Sequence, residues 1–493
     1  MNNLIKVLAP IFFVAAFSSC AETVFRPMPA PNPWADDYRA VSSIDNNDKW
    51  GTYNVHDPAV CLVGDTFYMY STDAIFVDTA AHTRMRPKGF VQMRKSADLV
   101  NWQFAGWAFP EIPAEAVEWV RSNNNGHGAH NVWAPYMVDM HDGTFHLYYC
   151  VSAFGRNSSY IGLAEAPSPL GPWKHVAPAV KTNSDAPTNA IDPSVITTSD
   201  GRCFMHYGSY FGGLNCLELN PATGLPTVEG DLGSKTASRA NYKRDNIEAP
   251  EIIFNPDNGF YYLFLSYDPL MTTYNVRVGL SRSAEGPFTD MHGRQLADST
   301  ENFPILTAPY RFEGHSGWVG TGHCGVFTDA DGNFFMAHQG RLASAPDMMV
   351  LHVRRMFFTS DGWPMVSPER YTAVRERFFK TADLEGEWEI MRLFEPRADR
   401  SGSASALLSK SDLLDGDGNS SQRFTLCSNG KIEPGEGSWH FDSGKQTLSI
   451  AFGDDRIDDI AVFAGHDWER EHDTALLTGL DRSGRALWGK RVK

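Results

Sequence analysis

The sequence predicts an all-β protein, a five-bladed β-propeller followed by a small antiparallel β-barrel or sandwich domain. Three observations predict it. First, five segments repeat one pattern: a short apolar strand, a turn of Asp-Gly, Gly-Asp or Asn-Gly type, and a strand alternating large apolar residues. Their heads and turns are Asp57-Pro58 with Gly64-Asp65, Trp133-Ala134-Pro135 with Asp142-Gly143, Asp192-Pro193 with Asp200-Gly201, Glu248-Ala249-Pro250 with Asn258-Gly259, and Gly322-His323 with Asp331-Gly332. Hairpins recurring every 55–80 residues or so are the mark of propeller blades. Second, most hairpins are followed by a third strand and an aromatic-anchored outer strand. Examples are Val91–Ser96 with Asn101-Trp102, Ile161–Ala164 with Gly171-Pro172-Trp173, and Val278–Ser281 with Gly286-Pro287-Phe288. Four strands per unit make one blade. Third, helical periodicity is sparse, and the repeat stops near residue 380.

The elements follow in order. Residues 1–20 read as an export signal outside the fold. Lys6 is a small positive region, and Val7 to Phe17 is an apolar stretch too short for a stable membrane span. Phe17-Ser18-Ser19-Cys20 places small residues before a cysteine, as in a bacterial lipobox. Cleavage before Cys20 and acylation of its thiol is the expectation, which would make the chain an outer-membrane or cell-surface lipoprotein of a Gram-negative bacterium. A plain secretory signal, giving a periplasmic or secreted protein, is the alternative. Residues 21–50, rich in Pro, Asn and Asp, read as an extended lead-in. Residues 51–380 carry the five units, with one helix expected from Pro113 to Arg121 in an insertion of the first. Residues 384–493 hold short strands with turns such as Asp481-Arg482-Ser483-Gly484 and read as the separate β domain. Nothing in that domain carries a catalytic pattern.

At 493 residues the chain exceeds a single small core. Its net charge of −16 opposes nucleic acid and anionic membrane surfaces as partners through long-range repulsion, and a neutral polymer fits better. Its 13 Trp, 17 Tyr and 31 Phe suit both a β-rich fold and a sugar-stacking surface. Beyond Cys20, the cysteines Cys61, Cys150, Cys203, Cys216, Cys324 and Cys427 show no metal-binding spacing. Free thiols are expected, with a Cys203–Cys216 bridge across one hairpin as the alternative. Nothing in the sequence sets the oligomeric state.

In a propeller the innermost strand of each blade runs along the central channel, so residues at its head line the channel mouth. Those residues are Asp57, Trp133, Asp192, Glu248 and His323, taken as equivalent seats in five blades. Three carboxylates in one pocket cannot all ionise freely. Like charge raises at least one pKa and leaves a proton donor beside a proton acceptor near neutral pH. Glycosidic hydrolysis needs that pair: the acid protonates the leaving oxygen and the base activates water on the opposite face. A separation of roughly 6.5–9.5 Å admits the water and inverts the anomeric centre.

Val55-His56-Asp57-Pro58-Ala59-Val60, Val132-Trp133-Ala134-Pro135, Ser152-Ala153-Phe154-Gly155, Ala190-Ile191-Asp192-Pro193-Ser194, Ile247-Glu248-Ala249-Pro250 and Gly320-Thr321-Gly322-His323 together resemble the motifs of glycoside hydrolase family 43. The likeness is closest to its arabinan-degrading branch, which Asp361-Gly362-Trp363-Pro364 is similar to as well. It runs from about residue 50 to about residue 370, and the terminal domain resembles the accessory domain of some endo-arabinanases. The resemblance implies Asp57 as general base, Glu248 as general acid, and Asp192 as the third carboxylate that holds the acid and raises its pKa. It implies that Trp133 and Phe154 stack on pentose rings. It also implies a metal ion, usually calcium, beside His323. Calcium prefers oxygen ligands, so the imidazole would meet the ion's waters. Two positions depart from the family pattern: Glu251 stands where an aromatic residue is common, and Cys324 where Asn often follows the histidine.

Blander readings are weighed beside these. Asp before Pro is common in turns, Trp133 could be propeller core, and His323 could be a satisfied core histidine. Glu251 reads as a solvated strand-end charge and His338 as a channel or core residue. Asp142, Asp200 and Asp331 read as hairpin chemistry. The expected function is an exported, inverting, endo-acting hydrolase of α-1,5-linked L-arabinan or arabino-oligosaccharides. Its rivals are an exo-acting α-L-arabinofuranosidase or β-xylosidase on the same scaffold, and a non-catalytic glycan-binding surface lipoprotein. A retaining fructan enzyme would carry Asn-Asp-Pro-Asn and Arg-Asp-Pro, where this chain has His56-Asp57-Pro58 and Ile191-Asp192-Pro193. Loops 74–90, 121–131 and 268–276 are expected to set the subsites.

Overall fold

Each repeat folds as an antiparallel meander. In a computed structural model that describes residues 44–74, 88–239, 246–298, 301–396 and 419–492, five such sheets stand around one axis. The expected export signal, Cys20, most of the lead-in and most of loop 74–90 lie outside the described residues. Blade one is Ala59–Val63, Thr66–Ser71, Phe90–Ser96 and Gln103–Phe109, from the axis outward. The inner strands of blades two, three and four are Trp133–Asp139, Ser194–Thr197 and Ile247–Asn255, each followed outward by three more.

Blade five corrects the four-strand expectation. Its inner edge is split between Trp318–Val319 and Cys324–Thr328, which both pair with Phe334–Leu342, so the sheet has five strands. Ala345–Phe358 and Pro364–Val366 complete it. The ring closes where Tyr53, ahead of blade one, bridges Val350 of blade five.

Blades pack face to face, so their second strands are covered on both sides. Phe145–Val151 is buried along its whole length, His146 included. The tight turns behave as expected: Asp142 Oδ1 accepts from both Thr144 N–H and Oγ1, and Gly143 takes φ +92, a conformation open to glycine at no steric cost. The helix spans Ala114–Ser122 and buries Ala116 and Val120 against blade two.

The terminal domain is a closed eight-stranded barrel from Gly386–Arg392 to Ala486–Arg491, whose first and last strands pair from Trp388 opposite Arg491. It is docked on the propeller. Trp488 of the barrel packs edge-on against Tyr310, with ring centroids 5.1 Å apart. Lys490 Nζ is fully buried and meets Glu369 Oε1 at 2.8 Å, Asp467 Oδ1 at 2.9 Å, and Glu469. All six cysteines among the described residues are free thiols. Cys203 lies opposite Leu219 and Cys216 opposite His206, so the two are out of register for a bridge.

Candidate active site

At the head of every inner strand the chain takes one left-handed step. The residues are Asp57 (φ +53), Ala134 (φ +30), Asp192 (φ +57), Ala249 (φ +57) and His323 (φ +50). Non-glycine residues adopt this conformation at a cost, and such outliers gather at functional sites. The step corrects the expected equivalence of seats. Trp133 and Glu248 stand one residue upstream of the position held by Asp57, Asp192 and His323. The step comes with a one-residue shift of register against the second strand, in blades one and three, where the Thr72 N–H donates to the His56 carbonyl and the Gly208 N–H to the Ile191 carbonyl, and in blades two and four. Trp133 pairs with Cys150 and Tyr136 with Tyr148; Glu248 pairs with Ser266 and Glu251 with Phe264, leaving one extra residue in each inner strand.

Convergence holds despite the shift. Asp57, Trp133, Phe154, Asp192, Glu248 and His323 all line one cavity of about 630 Å³ at the channel mouth. That volume falls in the usual range for a small-ligand site.

Asp57 is clamped from four sides. Thr72 Oγ1 donates to Oδ2 at 2.6 Å, and the Asp57 N–H donates to Gln339 Oε1 at 3.0 Å. His323 Nδ1 lies 2.9 Å from Oδ1, while His56 Nδ1 approaches Oδ2 to 2.7 Å without hydrogen-bond alignment. Burial works against an ionised Asp57, but the adjacent imidazoles outweigh it and hold this carboxyl well below the usual range. The two histidines differ. Burial lowers the pKa of His56 and so favours its neutral form. For His323 burial also disfavours the charge, yet Asp57, then Asp192 and Glu248, raise it to about 9. The lasting partner of the Asp57 carboxylate near neutral pH is therefore the His323 imidazolium.

Asp192 and Glu248 are pushed the other way. Burial raises Glu248, and the neighbouring Asp192 raises it further; the Tyr274 hydroxyl, donating to Oε1 at 2.8 Å, pulls it partly back. Burial likewise raises Asp192, against the pull of His323 and of the Ala249 N–H, which donates to Oδ2 at 3.1 Å. One carboxylate stays ionised and a neighbouring pair retains a proton near neutral pH, which is the complement for acid–base hydrolysis.

The aromatic positions take distinct seats. Phe154 is 70% exposed, unsupported by core packing, and so presents a platform to the cavity. Trp133 is half-buried at the cavity wall, with Nε1 donating to Asn131 Oδ1 at 2.8 Å. His338 is fully buried in the core of blade five, as one of its two readings had it.

Glu251 is a correction. It is not a solvated strand end but 4% exposed, accepting from Ser194 Oγ and the Val326 N–H. The register shift between Glu248 and Glu251 turns Glu251 inward. Sequence reasoning missed Thr72 and Gln339, which hold Asp57, and Tyr274, which holds Glu248. Tyr274 falls in the 268–276 loop that the sequence had marked only for its subsite role.

The side chains at His323 do not fit a directly held calcium ion, which takes 6–8 or so oxygen ligands. Its Nδ1 is committed to Asp57. Among the described residues, the group of acids close enough to share an ion is Glu369, Asp467 and Glu469, and Lys490 sits among them.

Comparison with known proteins agrees with the site. Residues 51–364 match the profile described as glycosyl hydrolases family 43, and residues 368–489 match its C-terminal lipocalin-like domain. The extracellular endo-α-(1→5)-L-arabinanase of Thermotoga petrophila is 27% identical over 486 residues, covering 89% of this chain and 94% of that one. The extracellular endo-α-(1→5)-L-arabinanase 2 of Bacillus subtilis is 27% identical over 483 residues, covering 89% and 93%. The crystal structure of the Thermotoga petrophila endo-1,5-α-L-arabinanase superposes with a TM-score of 0.73 at 25% identity, over 90% of this chain and 99% of that one. With the profile spanning most of its length, this chain belongs to glycosyl hydrolase family 43.

Proposed function

We propose that the protein is an exported, inverting endo-hydrolase of α-1,5-linked L-arabinan. Asp57 acts as general base, Glu248 as general acid, and Asp192 as the carboxylate that holds the acid and raises its proton affinity. The observation that carries this reading is the opposed proton affinity of Asp57 and the Glu248–Asp192 pair within one cavity. Asp57 takes a proton from water as that water attacks the anomeric carbon. Glu248 gives its proton to the departing glycosidic oxygen as the bond breaks. The Tyr274 hydroxyl then hydrogen-bonds the carboxylate that Glu248 becomes. Trp133 and Phe154 supply faces on which furanose rings can stack.

The specificity follows the relatives named endo-arabinanases, which this chain matches over nearly its whole length. An exo-α-(1→5)-L-arabinofuranosidase of Cellvibrio japonicus is 30% identical over 330 residues, covering 64% of this chain, so product profile is the deciding measurement. Export follows the extracellular relatives and the apolar Val7 to Phe17 segment, and anchoring follows from acylation at Cys20. Calcium, if bound beside His323, would be held through water.

The test is hydrolysis of linear arabinan by the wild type, Glu248→Gln and Asp57→Asn. Loss of general acid or base assistance lowers kcat by about 10²–10⁴-fold. Near wild-type turnover in either variant refutes the roles. Oligomers released early support endo cleavage, and arabinose alone from the outset refutes it.

A further inference from the structure

The floor of the pocket is a layer that takes no part in these proton transfers. Two residues on from each left-handed step stand Ala59, Tyr136, Ser194, Glu251 and Gly325, one from each blade. Blades five and one meet there without side chains: a Cβ on Gly325 would lie 2.5 Å from the Pro58 carbonyl oxygen and 3.3 Å from Ala59 Cα. The three larger residues fill the remainder. Ser194 Oγ donates to Glu251 Oε2 at 2.9 Å, and the Val326 N–H donates to Glu251 Oε1 at 3.0 Å. The Ile252 N–H donates back to Ser194 Oγ at 3.1 Å, and Tyr136 hydrogen-bonds Ser194 from blade two.

We propose that Glu251 is a positioning residue: its buried carboxylate ties the inner strands of blades three, four and five one layer beneath the pocket, and so holds Asp192, Glu248 and His323 at their working separation. The proposal rests on the acid–base roles given above. Each tie acts through a short lever. Ser194 is two residues past Asp192, Val326 three past His323, and Glu251 three past Glu248. A carboxylate can accept from donors on two other blades at once, which an aromatic side chain at this position cannot do. Removing it leaves a buried amide and hydroxyl without their acceptor, and a buried unpaired donor is costly enough to move strands. The groups facing Glu251 are the Tyr136 hydroxyl, the Cys324 thiol and the His323 imidazole.

The experiment compares Glu251→Leu, Glu251→Gln and Ser194→Ala in the full chain, by kcat and KM on linear arabinan, by the pH profile and by thermal melting. A misplacement of reacting groups near 1 Å costs about 10²-fold, so Glu251→Leu is expected to lower kcat about 10- to 100-fold with KM little changed. Its alkaline limb is expected at lower pH, because moving Asp192 away from Glu248 weakens the like charge that raises the acid. Glu251→Gln keeps one acceptor and is expected to restore most of kcat. Ser194→Ala is expected to move the limb in the same direction, which keeps the test open if Glu251→Leu fails to fold. An unmoved limb in Ser194→Ala and the Glu251 variants, with activity merely tracking the folded fraction, overturns the proposal. Glu248→Gln run in parallel separates the two readings. If it stays active, the acid assignment fails; if it is inactive while the Glu251 and Ser194 variants match the wild type, only the positioning role fails.

Discussion

Replacing Tyr274 with Phe should shift the alkaline limb of activity upward. The Tyr274 hydroxyl donates to Glu248 Oε1 at 2.8 Å and is itself buried. Burial, followed by the nearby Glu248, raises the phenol well above its ordinary range, so it stays a neutral donor throughout the working pH. Tyr274→Phe removes the hydroxyl but keeps the ring, which fills the space beside Gly322; a Cβ there would lie 2.4 Å from Tyr274 Cδ1. A hydrogen bond to an ionised group is worth about 1.5–3 kcal/mol, and one between neutral groups about 0.5–1.5 kcal/mol. The hydroxyl thus favours the ionised form of Glu248 by about 1–1.5 kcal/mol, close to one pKa unit. Its loss raises the pKa of the acid. Because the acid works protonated, activity then survives about one pH unit further into the alkaline range. The assay is the pH dependence of kcat/KM on a soluble arabino-oligosaccharide, with kcat at the optimum read alongside. A limb that stays put or moves to lower pH would show that the hydroxyl does not favour the ionised acid, and the account of Glu248 would fall.

Asp192→Asn should act in the opposite sense: it removes the like charge that raises Glu248 while leaving an oxygen to accept from the Ala249 N–H, so the alkaline limb moves to lower pH. An upward shift would contradict it. Phe154→Ala deletes an exposed platform, and at about 0.5–1.5 kcal/mol for an aromatic contact, KM should rise about two- to twelvefold with kcat retained. An unchanged KM in steady-state kinetics would remove Phe154 from the binding surface. Lys490→Met leaves Glu369, Asp467 and Glu469 around an uncompensated buried space and should cost about 3–5 kcal/mol of stability in denaturant unfolding, with kcat of the folded fraction intact. A loss under about 1 kcal/mol would mean the acids protonate or reach water without strain.

Much of this was legible in the chain because propeller blades are local meanders. Their strands pair with sequence neighbours, so hairpin turns and apolar alternation announce them directly. Asp57, Asp192 and Glu248 were legible because each opens such a unit. The left-handed step was not, since φ leaves no mark at Asp57 or His323 beyond the residue itself. Without it, Trp133 and Glu248 seemed level with the aspartates, and Glu251 seemed to face solvent. Tyr274, Thr72 and Gln339 were illegible for a different reason. Thr72 and Tyr274 lie 15 and 26 positions from the acids they bond, just outside the strands of the same blades, where no repeat pattern marks them, and Gln339 reaches Asp57 from another blade across 282 positions. The split inner edge of blade five hid because Trp318–Val319 is too short to read as a strand.

The one-residue shift at Glu248 bears on which carboxylate keeps its proton. The Ala249 N–H, in the peptide that follows Glu248, donates to Asp192. The tie thus fastens Asp192 to the backbone beside Glu248, and Asp192 raises the proton affinity of Glu248. Asp57 stands at the left-handed position itself, and its oxygens are met by Thr72, His56 and His323. The N–H that makes this tie belongs to the left-handed residue, and blades one, two and five direct the N–H at that position elsewhere: Asp57 to Gln339, Ala134 to Thr72 and His323 to Ser266. The backbone at Ala249, as much as the identity of the side chains, is what holds Asp192 against Glu248, and so keeps a proton on that pair while Asp57, the proposed base, stays ionised.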